Sequence, residues 1–229
     1  MRESNNRNEG HRKRLRDRFM KSGLEGFADY EVVELLLTLA IPRSDVKGIA
    51  KDLISRFKNL AGILDAPVEE ISKIDGVGNV TPVALKIIKD AATLYLQQCA
   101  ESQDIRKDEN NLRNSLIMRI GSLKNEVFEI AYLDSNYQVQ NEGFERLEEG
   151  VIDRAAIYPR KVIESALKRN AYSIVIAHNH PNGDGSPSEQ DKLITRAIAL
   201  AAETVNLRIY DHFIVTVTSC FSFRQAGLL

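Results

Sequence analysis

The chain has 229 residues, with 31 Lys+Arg against 32 Asp+Glu and a formal charge of −1. That balance excludes the strong overall charge by which many proteins hold nucleic acid or membrane surfaces. At 43% hydrophobic and 28% charged residues the chain can form one sizeable core or two smaller ones, which excludes long-range disorder and fibrous repeats.

The charge is unevenly spread. Residues 1–98 carry 16 Lys+Arg and 14 Asp+Glu, a net of +2, and residues 99–229 carry 15 and 18, a net of −3. The first 21 residues hold eight basic against three acidic side chains. No run approaches the ~18 apolar residues of a membrane span. No apolar stretch of the secretory kind follows the basic start, so a cytoplasmic protein is expected. Cys99 and Cys220 have no CxxC spacing and read as packing residues.

Residues 1–98 read as an all-helical domain. A basic helix over His11 to Lys21 is followed by an apolar one, Tyr30 to Ala40, stopped by Pro42. A third covers about Val46 to Phe57, and a short connection through Pro67 leads to Glu69–Ile74. Gly76-Val77-Gly78 interrupts the pattern, which resumes from Pro82 to Leu96 with the proline in a first turn, where it fits. The stretch from Gln97 to Asn111 is dense in charge and amide and lacks apolar periodicity apart from Ile105, so a linker is expected over 99–111.

Residues 112–229 change character. A helix near Leu112 to Ser122 precedes two strands, Glu126 to Leu133 and Gln138 to Phe144, paired about the turn Asp134-Ser135-Asn136. A helix over Pro159 to Arg169, an apolar strand over Tyr172 to Ala177, a glycine-rich loop, a helix over Ser188 to Glu203 and closing strands within Asn206 to Thr218 follow. The alternation predicts a mixed α/β domain, a sheet flanked by helices, after a small all-α one.

The sharpest chemical feature is the segment from His178 to Asp191. His178 and His180, at a strand end, project to one side because strand side chains alternate with period two. Asp191 comes 11 residues after His180, in the first turn of the next helix, where it can swing back as a third ligand. Two histidines and a carboxylate leave the fourth position of a tetrahedral zinc site open for water, as catalytic zinc requires. Ser188 and Asp191 taken alone are a helix capping box.

This string, HxH-P-x-G followed by P-S-x-x-D, resembles the JAMM (MPN+) metallopeptidase signature in the form carried by RadC family proteins. The similarity extends to Gly150–Arg160, Asp211-His212, Ser222–Leu229, Gly10–Arg12 and Gly23–Glu31. The resemblance implies a JAMM/MPN-like fold and one Zn2+ per chain, held by His178, His180 and Asp191. It also implies a general base at Glu145, five residues before Gly150, and Ser188 as the group stabilising an oxyanion. Glu142, Glu148 and Glu149 crowd Glu145, so a different strand register would bring another carboxylate to the metal. Val151 stands where the family usually has threonine. His212 reads as a structural residue bordering an apolar strand, with orientation of the metal site as the alternative. His11, among basic residues, is expected in solvent.

Ile71 to Lys86 resembles a helix-hairpin-helix DNA-binding motif. Gly76 and Gly78 would make a tight turn with bare N–H groups beside a helix N-terminus, and Lys73 and Lys86 would add charge. A helix-to-helix turn with no ligand is the equal reading. The Ile41–Val46 region has no GxG, so any binding should be weak, non-specific and salt-sensitive. Together these features predict a zinc-dependent hydrolase, most concretely a metallopeptidase cutting an amide or isopeptide bond. The alternative is a DNA-binding repair or recombination accessory protein whose α/β domain is an interaction scaffold.

Overall fold

A computed structural model describes residues 2–42, 44–149 and 159–229. The chain divides into two compact units, with the boundary between Ala91 and Ala92.

The first unit is helical: α1 (Arg2–Ser22), α2 (Asp29–Ala40), α3 (Lys47–Phe57), α4 (Leu60–Asp65), α5 (Val68–Ile71) and the first half of α6 (Val80–Glu101). Its core is formed by Val33, Leu37, Ala50, Leu53, Ile63, Ile71 and Leu85, all fully or nearly fully buried. Helix α4 is an element that apolar periodicity did not disclose. It starts where the Asn59 side chain accepts the Gly62 N–H at 2.8 Å, an N-cap that a short six-residue helix needs. His11 is not a free surface residue: its Nε2 lies 2.7 Å from the Glu34 carboxylate, which the α2 face buries to 2% exposure. A buried carboxylate needs such a partner, and α1 supplies it.

Residues 99–111 are not a linker. Helix α6 continues through Glu101, and α7 (Asn110–Ile120) begins eight residues after Ser102. Between them Ile105 is buried in the core of the second unit, and its N–H donates to the Tyr137 carbonyl at 3.0 Å. The lone apolar residue of a polar stretch is thus the anchor that ties the stretch down.

After α7 the second unit continues with β1 (Val127–Leu133), β2 (Val139–Glu149), α8 (Pro159–Lys168), β3 (Ser173–Asn179), α9 (Glu189–Glu203), β4 (Arg208–Val215) and β5 (Cys220–Ser222). Among the described residues these strands form one mixed sheet in the order β2-β1-β3-β4-β5. Only β3 and β4 are parallel, with α9 lying between them in sequence; the other neighbours are antiparallel. One face packs Ala131, Val175, Ala177, Phe213 and Val215 against α7, through Leu112, Leu116 and Ile120. The other packs Phe128, Ile130, Tyr132, Ile174 and Ile176 against Val162 and Ala166 of α8 and Ile198 of α9. Burial on both faces explains why β3 reads as a continuous apolar run; in β1, buried equally, Glu129 breaks the run and is paired with Arg119 and Arg146. Strand β2 reaches Glu149, five residues beyond its expected end. The segment Gly150–Tyr158, with Val151, and the side chains of Glu148 and Glu149 lie outside the described residues.

Candidate metal centre

Strand β3 delivers His178 and, one residue past its end, His180, whose N–H donates to the Val215 carbonyl; α9 delivers the carboxylate. Asn179, between the histidines, faces away from them: its side-chain amide donates to the Leu123 and Asn125 carbonyls, both at 3.1 Å, and its Oδ1 accepts the Val127 N–H at 2.8 Å. The end of β3 is thereby locked to the start of β1. Asp191 is N3 of α9 and Ser188 its N-cap. The Asp191 N–H donates to Ser188 Oγ at 3.1 Å, while Asp191 Oδ2 accepts the Ser188 N–H at 2.8 Å and the Ser188 hydroxyl at 2.7 Å. The capping box that starts the helix also aims the carboxylate. With its hydroxyl donating to Asp191, Ser188 orients that carboxylate; the oxyanion role would require this bond to be released.

The three ligating groups converge, each imidazole nitrogen meeting a different oxygen of the Asp191 carboxylate. His178 Nε2 is 3.0 Å from His180 Nε2 and 3.2 Å from Asp191 Oδ1, and His180 Nε2 is 3.4 Å from Asp191 Oδ2. Ligands set tetrahedrally at 2.0–2.1 Å around zinc are about 3.3 Å apart. The triangle therefore fits a shared ion, and the group can hold a metal. Two imidazoles and one carboxylate are a donor set suited to zinc.

The electrostatics agree. Hydrogen bonding to Asp191 raises the His180 pKa against the opposing effect of burial, with a further contribution from the nearby Glu126 charge. Burial disfavours an ionised Asp191, but hydrogen bonds from His178 and His180, joined by Ser188, outweigh it and hold the carboxyl well below its usual range. His180 Nδ1 lies 2.6 Å from the Asp184 carbonyl, which can only accept, so Nδ1 carries a proton and Nε2 is the nitrogen turned towards the group.

His212 is brought to the site as well. Its Nε2 is 2.8 Å from His178 Nδ1 and its Nδ1 2.6 Å from Thr195 Oγ1. It is fully buried, stacks on Phe223 at 4.7 Å, and burial pushes its pKa well below the ordinary histidine value. The structural role expected of it and contact with the metal group therefore coincide.

Glu145 is not brought to the metal group. It stands opposite Ile130, which faces Ile176, two residues before His178 on the neighbouring strand. Its Oε2 accepts hydrogen bonds from the Ser165 hydroxyl at 2.7 Å and the Tyr132 hydroxyl at 2.8 Å, with Arg169 Nε at 3.3 Å. Burial opposes its ionisation, yet those bonds hold its pKa below the usual carboxylate value. It is a brace joining the edge strand β2 to β1 and α8.

A different carboxylate approaches the site. Phe128 of β1 faces His178 of β3, and continuing this antiparallel register by two residues sets Glu126 across from His180. The Val127–Asn179 hydrogen bond holds that alignment, and the Glu126 charge is felt by His180. The position of Glu126 beside the histidines is not legible in the sequence, because it follows from long-range pairing of two strands. Its signal was its place at the mouth of the first strand, one residue before the apolar run that pairs with the HxH strand.

In the amino-terminal hairpin, Gly76 takes φ +83°, and a Cβ there would lie 2.9 Å from Ile49 Cδ1. Its turn geometry and close packing are thus sufficient reasons for glycine. Gly78 has open space where a Cβ would project. Lys73 donates to Glu70 at 2.5 Å, and Lys86 donates to the Leu64 carbonyl at 2.6 Å, where burial lowers its pKa. Both lysines expected to face phosphate already have partners within the helical unit.

Comparison with known proteins places this geometry in context. The family described as RadC-like JAB domain matches residues 106–228, and that described as UPF0758 N-terminal matches residues 8–83. A UPF0758 protein of Fusobacterium nucleatum is 36% identical over 229 residues, covering 97% of this chain and 98% of its own. One from Ruegeria pomeroyi is 36% identical over 220 residues, covering 96% and 97% respectively. A third, from Pseudoalteromonas translucida, is 32% identical over 216 residues, covering 94% and 96%.

Proposed function

We propose that this chain, which belongs to the RadC-like JAB domain family and carries the UPF0758 N-terminal domain, is a zinc-dependent hydrolase of the JAMM type acting on an amide or isopeptide bond. The observation that carries the reading is the triangle of His178, His180 and Asp191 atoms at 3.0–3.4 Å, on a side where Glu126 is the neighbouring carboxylate.

When bound there, zinc lowers the pKa of water towards about 7 and polarises a carbonyl oxygen. The chain's own residues supply the rest. Glu126 is assigned the general base, taking a proton from water and returning it to the leaving amine. Ser188 orients Asp191 through the capping box, and Asn179 fixes the spacing between the strand that ends in the histidines and the one that begins after Glu126. No helix among the described residues is long and apolar enough to cross a membrane. A cytoplasmic setting is part of the proposal.

The test is hydrolysis of a library of quenched peptides and isopeptide-linked substrates by the zinc-loaded protein. Cleavage that is abolished by chelation and lost in Glu126→Gln with zinc retained supports the reading. Cleavage indifferent to zinc, or a Glu126→Gln variant as active as the parent, contradicts it.

A further inference from the structure

We propose that Thr195 and His212 are positioning residues that select the tautomer of His178 and so keep its Nε2 free for a metal ion; the proposal rests on the zinc reading of the site. A closed hydrogen-bond circuit links two of the three ligands. His178 Nδ1 is 2.8 Å from His212 Nε2, His212 Nδ1 is 2.6 Å from Thr195 Oγ1, and Thr195 Oγ1 is 2.5 Å from the backbone carbonyl of Asp191.

The direction of every bond follows from its last member. A carbonyl oxygen can only accept, so the Thr195 hydroxyl proton points to Asp191, one helical turn earlier. Towards His212 the threonine oxygen then offers a lone pair, and His212 must carry its proton on Nδ1. A fully buried, neutral His212 has no second ring proton, so its Nε2 accepts. His178 must then donate from Nδ1, which makes Nε2 the nitrogen open to an ion. His180 reaches the same state independently, through the Asp184 carbonyl. The circuit therefore sets the fixed proton of His178 on the ring nitrogen that faces away from the ion site.

The ring of His212 has little freedom to escape this role. Phe223 stacks on it with an interplanar angle of 18°, and Phe128 approaches edge-on at 6.1 Å. Without the threonine acceptor, His212 is better served by a proton on Nε2. That proton would point at His178 Nδ1, driving the His178 proton onto Nε2, into the position the ion needs.

Nitrogen-15 spectra of histidine-labelled, metal-free protein at pH 8 read the tautomers directly, and competition with a zinc chelator reads affinity. In the parent chain His178 and His212 are expected as Nδ1–H tautomers. Thr195→Val, which keeps the shape and removes the acceptor, is expected to move His212 to the Nε2–H form and to weaken zinc binding 10–100-fold. Thr195→Ser is expected to restore both within threefold. An Nε2–H tautomer at His212 in the parent, or parental zinc affinity in Thr195→Val, overturns the proposal. A parent chain that binds no zinc overturns the hydrolase reading instead, and the ring signals still decide whether the circuit exists.

Discussion

The Tyr132 hydroxyl donates to the Glu145 carboxylate at 2.8 Å, on the same sheet face as the metal triangle but further along the strands. This bond separates the roles of two glutamates. Glu126→Gln should retain zinc and lower the hydrolysis rate by 10²–10⁴-fold, the usual contribution of a positioned base. Glu145→Gln should leave zinc content and rate within about threefold of the parent. Steady-state kinetics with zinc analysis on both variants checks the assignment, and the reverse pattern would return the base to Glu145.

Glu145 should instead show itself in stability. Its folded pKa lies below the usual 4.5, so its ionised form stabilises the fold at pH values above the unfolded value, and that contribution is lost as pH falls through the depressed folded value. Because the side chain is about one-third exposed, screening limits the effect to about 1 kcal/mol. Denaturant unfolding of Glu145→Gln should therefore show a deficit of that size at pH 7 that shrinks below pH 4.5. A deficit independent of pH would exclude the charged brace.

Ser188→Ala removes both the N-cap of α9 and the hydroxyl bonded to Asp191. About 1 kcal/mol of stability should be lost with the cap, and zinc affinity should fall as Asp191 loses an orienting partner. Thermal unfolding with and without zinc separates the two losses: the stabilisation gained on adding zinc should be smaller in the variant than in the parent.

For the amino-terminal unit, Gly76→Ala should cost about 1–2 kcal/mol, since φ +83° is unfavourable for a residue with a Cβ. Gly78→Ala should be neutral within about 0.5 kcal/mol, having open space at its Cβ. Reduced DNA affinity in Gly76→Ala but not in Gly78→Ala would then report a damaged hairpin, not a lost phosphate contact. Unfolding curves measured beside the binding curves make that distinction.

The metal triangle was legible in the sequence because its geometry is local. Strand alternation sets His178 and His180 on one side, and the Ser188–Asp191 capping box returns a carboxylate across a short loop. The helices and strands were legible for the same reason, from apolar period and from breakers such as Pro42. What escaped depends on pairing between distant segments. Glu126 meets His180 only once β1 and β3 align, and His212 reaches His178 only through the parallel pairing of β3 with β4. Ile105 looked like an exception inside a polar stretch, and its burial could be seen only when Tyr137 arrived to bind its backbone. The lysines of the hairpin were legible as charges, but their partners Glu70 and the Leu64 carbonyl were not.

The most direct test of the account is the zinc content of the purified protein, measured by mass spectrometry alongside His178→Ala and Asp191→Ala. The account predicts close to one zinc per parent chain and less than about a tenth of that in either variant, with both still folded. Near-zero metal in a folded, zinc-supplied parent, or full zinc retention by the variants, would contradict it.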